Sequence, residues 1–211
     1  MMMGHVNAKV HSAVASLNPD KIAFFSVAHI FVFLAGFGMG LVTAIAHDRS
    51  GHNGVWQLCW KSIRRIWLFH AGLVLLLAAL ALALPLSAHS LFAPYREEPQ
   101  AVIGLSLAML TGSAHMGLLP MYIIFILFVP WAVSAMASGR AATVVLASAG
   151  LWCVAQTNLA QLPMQGLQHL FGALAINLHA GLYFNLLGWQ LLFFGGLVIG
   201  RIQQRQQLPI A

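Results

Sequence analysis

Charged side chains are scarce in this sequence, and acidic ones are the scarcest. Only 7% of its 211 residues are charged, with ten Lys and Arg against four Asp and Glu. Soluble domains carry about a quarter charged residues, so this composition excludes a soluble globular protein. The basic residues flank apolar runs and form no patch, which also excludes a nucleic-acid-binding protein.

Two other familiar sequence features are missing. The only cysteines, Cys59 and Cys153, fit no metal-binding or disulfide spacing, so no metal site is expected. Residues 1–21 form a polar amino-terminal segment that lacks the apolar core of a cleavable signal peptide.

Long apolar runs are what the sequence has in abundance. Its residues are 60% hydrophobic, with a mean hydropathy of +0.84. Because a helix needs about 20 residues to cross a bilayer, these runs predict an all-α, polytopic transmembrane bundle with five spans. The predicted spans are 22–46, 65–88, 118–138, 141–158 and 181–200, with a tight hairpin at Gly139 and Arg140 between the third and the fourth. The apolar segment 101–110 is too short to cross and is predicted to be one interfacial or re-entrant helix.

The basic residues predict which way the bundle faces. Seven of them fall on one side of the predicted spans: Arg49, Lys61, Arg64, Arg65, Arg140, Arg201 and Arg205. Basic residues concentrate in cytoplasmic loops, so this side, which includes a predicted loop at 47–64, is assigned to the cytoplasm. The amino terminus is then periplasmic and the carboxyl terminus cytoplasmic.

Two pairs of glycines recur at a spacing of four residues in the predicted spans. Gly36 and Gly40 form one pair, and Gly196 and Gly200 form the other. Small residues at this spacing let transmembrane helices approach closely, so both pairs predict helix–helix contacts.

Four short stretches resemble motifs of one bacterial membrane family and occur in the family's order. They are FVFLAGF at 31–37, RRIWLFH at 64–70, LPMYII at 119–124 and FNLLGWQLLF at 184–193. The family is OpgC, the osmoregulated periplasmic glucan succinyltransferases, within the superfamily of integral-membrane O-acyltransferases. The chain departs from the family's pattern at His29, Ala35 and Gly117.

The resemblance implies both an architecture and an activity. It covers most of this chain but only part of the family's length, so 1–211 is expected to be a single, incomplete membrane acyltransferase-like domain. Such a protein would be multi-pass in the bacterial inner membrane, surrounded by the lipid bilayer. It would transfer a succinyl-type group from a cytoplasmic acyl-CoA donor resembling succinyl-CoA to a periplasmic glucan or another polyol. No bound cofactor is implied.

Two histidines are candidates for the catalytic base. Histidine suits this role because its pKa lies near the working pH. His5 is assigned by the resemblance, since superfamily members carry an essential histidine on their first helix. His29 lies inside an apolar run, where an ionisable side chain is costly and therefore indicates function.

Six other residues are candidates for binding the two substrates. Arg64 and Arg65 would hold the phosphates of the acyl-CoA donor, for which a guanidinium fork is suited. His70 would line a tunnel for the donor, or else pack as a hydrogen-bonded histidine. A polar cluster at the start of the last predicted span would face a cavity and bind the acceptor, because glutamine is costly against lipid. Its members are Asn185, Trp189 and Gln190.

Other interpretations stay open. Ten histidines, with His29 and His70 on adjacent predicted spans, would suit a b-type haem or other redox membrane protein, although the predicted sidedness puts these two near opposite faces. A small-solute transporter is disfavoured because the spans show no inverted repeat. The departures from the family pattern also allow an inactive fragment.

Overall fold

A computed structural model describes residues 27–83, 92–111, 118–157, 162–173 and 185–207, which are helical and contain no strand. The predicted all-α class is therefore confirmed for this part of the chain. His5, Gly117 and the amino-terminal segment 1–21 lie outside the described residues. The helices are α1 (Val27–Ala83), α2 (Ala93–Glu97), α3 (Pro99–Leu107), α4 (Leu118–Ala137), α5 (Ala141–Ala155), α6 (Leu162–Ala173) and α7 (Leu186–Gln207).

Three of the described helices are long and apolar enough to cross a membrane, where five spans were predicted. They are Ala28–Ala83 within α1, Leu118–Ala137 and Leu186–Gln206. The difference arises partly because α1 contains two of the predicted spans. Its 57 residues are interrupted at Gly51, where φ is 60° and ψ is −153°. We call residues 27–50 α1a and residues 52–83 α1b.

The predicted loop at 47–64 is wrong, because these residues are helical apart from the break at Gly51. The reason is a helical repeat of apolar residues that the charges obscure. Val55 and Cys59 are buried, and Ile63 packs beside them at the next interval of four residues. One face of α1b therefore joins the core, while Lys61, Arg64 and Arg65 lie on its exposed or half-buried remainder.

The helices α4 and α5 form the predicted tight hairpin at Gly139 and Arg140. Gly139 adopts a φ of 77°, which favours glycine, and the Arg140 amide donates a hydrogen bond to the Ala135 carbonyl over 2.9 Å. The 15 residues of α5 would span only about 22 Å, which is less than the roughly 30 Å of a hydrocarbon core. The predicted span at 141–158 is thus shorter in the structure.

The predicted non-spanning helix is represented by α3, whose nine residues would extend only about 14 Å. Both α2 and α3 begin with a proline in the first turn and pack against α1b. Their contact has its own small apolar cluster, formed by Val74, Ala78, Ala81, Tyr95 and Val102.

The helices α1a and α7 run parallel in close contact, as the two glycine pairs predict. A Cβ added to Gly36 would overlap the Phe193 carbonyl, and one added to Gly40 would overlap the Leu197 carbonyl. Gly196 and Gly200 approach α1a in the same way. We call this contact the glycine seam. The main core lies beside it and includes Val32, Phe125, Val129, Phe193 and Leu197.

Many large apolar side chains face outward along these helices. Examples are Phe31, Phe69, Phe128, Trp131 and Leu146, each more than half exposed. In water such a surface would drive aggregation, whereas lipid solvates it. The described helices therefore belong to a membrane protein.

Candidate functional site

His29 and Trp189 are brought together at the beginning of the glycine seam. His29 lies in the first turn of α1a and Trp189 in the first turn of α7, and the parallel packing sets these turns side by side. Their rings stack with centroids 4.4 Å apart and planes 9° from parallel. Both side chains are half-buried, so the imidazole is held in one orientation while part of it remains accessible.

The other two residues of the predicted acceptor cluster make hydrogen bonds within the protein. Asn185 caps α7, because its Oδ1 accepts a hydrogen bond from the Gly188 amide over 3.2 Å. Gln190 is buried and joins α7 to α5: its Nε2 donates to the Ser148 carbonyl over 2.7 Å, and its Oε1 accepts from the Ser148 hydroxyl. These bonds show structural roles for both residues; acceptor binding by them stays a prediction.

A tyrosine that the sequence did not single out as a site residue lies near the same end. Tyr122 contacts Phe31 and Phe193, with ring centroids 6.2 Å and 6.4 Å away. Its hydroxyl is buried and has no hydrogen-bond partner within the described ranges. An unbonded buried hydroxyl is rare in folded proteins, which makes Tyr122 a further candidate at this site. The only sequence signal was its position in the LPMYII stretch.

Arg64 and Arg65 line one open groove on α1b. The groove is shallow and open, its described lining residues all belong to α1b, and they also include Lys61, Leu68 and Phe69. Three cationic heads beside two large apolar side chains give it an amphipathic character. A ligand with phosphates and an apolar or acyl portion would suit such a lining. The predicted donor site thus has its two arginines in a common groove, and donor binding there stays a prediction.

His70 does not line this groove. It is 1% exposed, and its Nε2 donates to the Ser106 carbonyl of α3 over 2.8 Å. Since a carbonyl only accepts, Nε2 carries the proton in this arrangement, and the buried Nδ1 has no partner. Nearby in α2, burial raises the pKa of Tyr95, while an interaction with Ser106 opposes that rise. His70 is therefore part of the α1b–α3 contact.

The far end of the glycine seam contains a buried arginine that the sequence analysis used only as a topology signal. Arg201 is 2% exposed, and none of its three guanidinium nitrogens has a hydrogen-bond partner among the described residues. On α1a, Gly36, Gly40, Ala44 and Asp48 recur every four residues, and the parallel packing puts Ala44 level with Arg201. Ala44 is buried and small, which leaves the seam narrow at that point.

The predicted site residues therefore fall into separate places. His29 and Trp189 share the beginning of the seam, Arg64 and Arg65 share the groove on α1b, and His70 lies beside α3. Among the described residues, no group of three or more His, Cys, Asp or Glu side chains is arranged to hold a metal ion.

Comparison with known proteins gives one match. The model of a family described as OpgC protein matches residues 1–211, which is the whole sequence. No curated protein and no solved structure matches the chain. Membership of this family fits an acyltransferase-like function at a membrane. The match along the entire length leads to a plain assignment: the chain belongs to the OpgC family.

Proposed function

We propose that this chain is the membrane domain of an O-acyltransferase. It would transfer a succinyl-type group from an acyl-CoA donor on the cytoplasmic side to a hydroxyl of a glucan on the periplasmic side. The observation that carries the proposal is the match of the OpgC family to all 211 residues. The arrangement of the described residues supports it in two further ways.

First, the candidate base and the candidate donor site lie in different parts of the fold. His29 is at the beginning of α1a, about 30 Å along that helix from Arg49 near its end at 1.5 Å per residue. The groove with Arg64 and Arg65 follows on α1b, after the break at Gly51. The thioester end of the donor would therefore have to extend from the groove to the acceptor hydroxyl beside His29, because the reacting atoms must come within about 3.5 Å of each other.

Second, the His29–Trp189 stack holds an imidazole in a fixed plane with part of its surface accessible. In the proposed reaction a ring nitrogen of His29 takes the proton of the acceptor hydroxyl. The hydroxyl oxygen then attacks the thioester carbonyl carbon, the carbon–oxygen bond of the ester forms and the carbon–sulfur bond breaks. The imidazolium returns its proton to the departing thiolate, so no other reactant is consumed. His5 is the alternative base.

The test is complementation in a bacterial strain that lacks its own glucan succinyltransferase. The complete gene that contains this chain should convert neutral periplasmic glucans into anionic ones, with the mass gain of a succinyl ester. A variant with Arg64→Gln and Arg65→Gln should give fewer anionic glucans at equal protein level. Glucans that stay neutral with the unaltered gene would refute the proposal.

A further inference from the structure

The observation that needs an explanation is the Arg201 side chain. Its guanidinium lies at the far end of the glycine seam, almost completely removed from solvent, and none of its three nitrogens has a hydrogen-bond partner in the part of the chain that the structure describes. A buried charge without a partner costs several kcal/mol, and ionisable residues within membrane bundles are generally paired or lie on a ligand's path. Something must compensate this charge when the protein works.

The described residues near Arg201 do not supply that compensation. Asp48 is close enough to act on it electrostatically, yet the two form no ion pair, and the Asp48 side chain is 49% exposed one turn further along α1a. The other charge that acts on Arg201 is Arg205, which has the same sign. Among the residues that the structure describes, Arg201 therefore has no bonded counter-charge.

The other described side chains around Arg201 supply no counter-charge of their own. Gly40 and Ala44 keep α1a close to α7, and Ala44 offers only a methyl group opposite Arg201. Thr43 is also buried there, but its hydroxyl donates to the Met39 carbonyl of its own helix over 2.7 Å. The Thr43 hydroxyl carries no formal charge, so it does not neutralise Arg201. It also repels an anion less than a carboxylate would.

We propose that Arg201 is the centre of an anion-binding site that takes a phosphate group. The planar guanidinium forms paired hydrogen bonds with phosphate oxygens, and burial between two helices strengthens those bonds. Arg49 and Arg205, both exposed, flank the same end and would attract an anion toward it. The phosphate would come from a phospholipid headgroup or from a soluble phosphate compound. This proposal is independent of acyl transfer.

The experiment measures binding of two phosphate probes to the purified full chain. Nanodiscs with phosphatidylglycerol, whose phosphate carries a net negative charge, are compared with phosphatidylcholine ones, whose phosphate is balanced by choline, to test the lipid source. Inorganic phosphate, compared with potassium chloride of equal ionic strength, tests the soluble source without involving the proposed donor groove at Arg64 and Arg65. For the probe that binds, Arg201→Gln should raise the Kd about ten- to a hundredfold, since hydrogen bonds to charged groups are strong. Arg201→Lys, which keeps the charge but loses the fork, should raise it less.

Arg205→Gln is the matched control, because Arg205 is one turn further along α7 and exposed. It should raise the Kd far less than Arg201→Gln does, because the exposed Arg205 charge attracts the anion but does not bond to it. The proposal is overturned if neither probe distinguishes the unaltered protein from Arg201→Lys and Arg201→Gln, or if Arg205→Gln weakens binding as much. It is also overturned if the effects of Asp48→Asn and Arg201→Gln on thermal stability are strongly non-additive while both probes bind the unaltered protein and the Arg201 variants with the same Kd. That result would mean that Asp48 is the partner of Arg201. Arg201→Lys keeps the test decisive if Arg201→Gln does not fold.

Discussion

The two ends of the glycine seam differ in whether their polar side chains have bonding partners within the protein. At the beginning, His29 stacks on Trp189, Asn185 caps α7 and Gln190 bonds to Ser148, so these side chains are engaged within the protein. At the far end, the guanidinium of Arg201 is more deeply buried and has no partner in the described ranges. A bonded buried group fixes the helices around it, whereas an unbonded one costs stability until a ligand arrives. The first end therefore holds most of its polar side chains in position, with the Tyr122 hydroxyl as the exception, whereas the second end leaves its arginine unbonded among the described residues.

The largest effect is expected from substitutions that disrupt the glycine seam, because both ends depend on this contact between α1a and α7. Gly36→Ala and Gly40→Ala each add a methyl group where the backbone of α7 already lies. Because overpacking of a tight contact costs about 3 kcal/mol, both variants should unfold at a clearly lower temperature in detergent. The drop should exceed that of any other substitution discussed below.

Gly38→Ala is the control for that prediction. It lies on the same helix, but a Cβ added there meets nothing within 4 Å. Alanine favours helices by about 1 kcal/mol over glycine, so this variant should be neutral or more stable. Equal destabilisation at Gly36, Gly38 and Gly40 would mean that the seam is not a close helix contact.

The glycine seam could be predicted from the sequence, because it depends on the spacing of glycines within each helix. Spacing of four residues between glycines defines one helix face, and that face is the one that α1a and α7 present to each other. The all-α class and the tight turn at Gly139 likewise followed from apolar runs and a short polar break. The prediction of a loop at 47–64 was wrong, because the charged residues of this segment obscure the four-residue repeat of Val55, Cys59 and Ile63.

The site was less predictable, because its partners are far apart in sequence. Nothing local pairs His29 with Trp189, or Gln190 with Ser148; these contacts exist only once helices α1a, α5 and α7 are packed. The burial of Arg201 was equally unpredictable from the sequence. As a letter in the sequence it is one more basic residue near a span, and only its burial distinguishes it from Arg205.

A second prediction sharpens the contrast at the His29 end. His29→Gln keeps a polar side chain of similar reach but removes the titratable nitrogen. If His29 is the base, the rate of glucan acylation should fall about 100-fold, as expected for the loss of a positioned proton acceptor. The measurement is the initial rate with saturating donor in membranes that contain equal amounts of protein.

His52→Gln is the matched control for His29. His52 is exposed on α1b and accepts a hydrogen bond from Trp56 over 2.7 Å, away from the seam. It should keep full activity. A similar loss in both variants, or none at His29, would leave His5 as the candidate base.

A third prediction concerns the groove lined by Arg64 and Arg65. Substitutions there should affect ligand binding, as at Arg201, and not the rate of the chemical step, as at His29. Arg64→Gln combined with Arg65→Gln removes two charges that line the groove. The KM for the acyl-CoA donor should rise about tenfold, which corresponds to about 1.4 kcal/mol, while kcat changes little. The effect should shrink at high salt because exposed charges are screened. A fall in kcat at constant KM would contradict a donor-binding role.

The smallest expected effect tests whether the first end holds its polar side chains in position. Gln190→Leu removes the bonds to Ser148 and should cost about 1 kcal/mol of stability, because hydrogen bonds between membrane helices are individually modest. Gln156→Leu removes a bond only to the Trp152 carbonyl of its own helix and should cost less. In Gln190→Leu, Ser148 loses its partner, so adding Ser148→Ala should cause little further loss. If the losses of stability from the two substitutions are instead fully additive, Gln190 and Ser148 act independently. The polar side chains at the first end would then be less firmly bonded than the structure indicates, and the contrast with the second end would weaken.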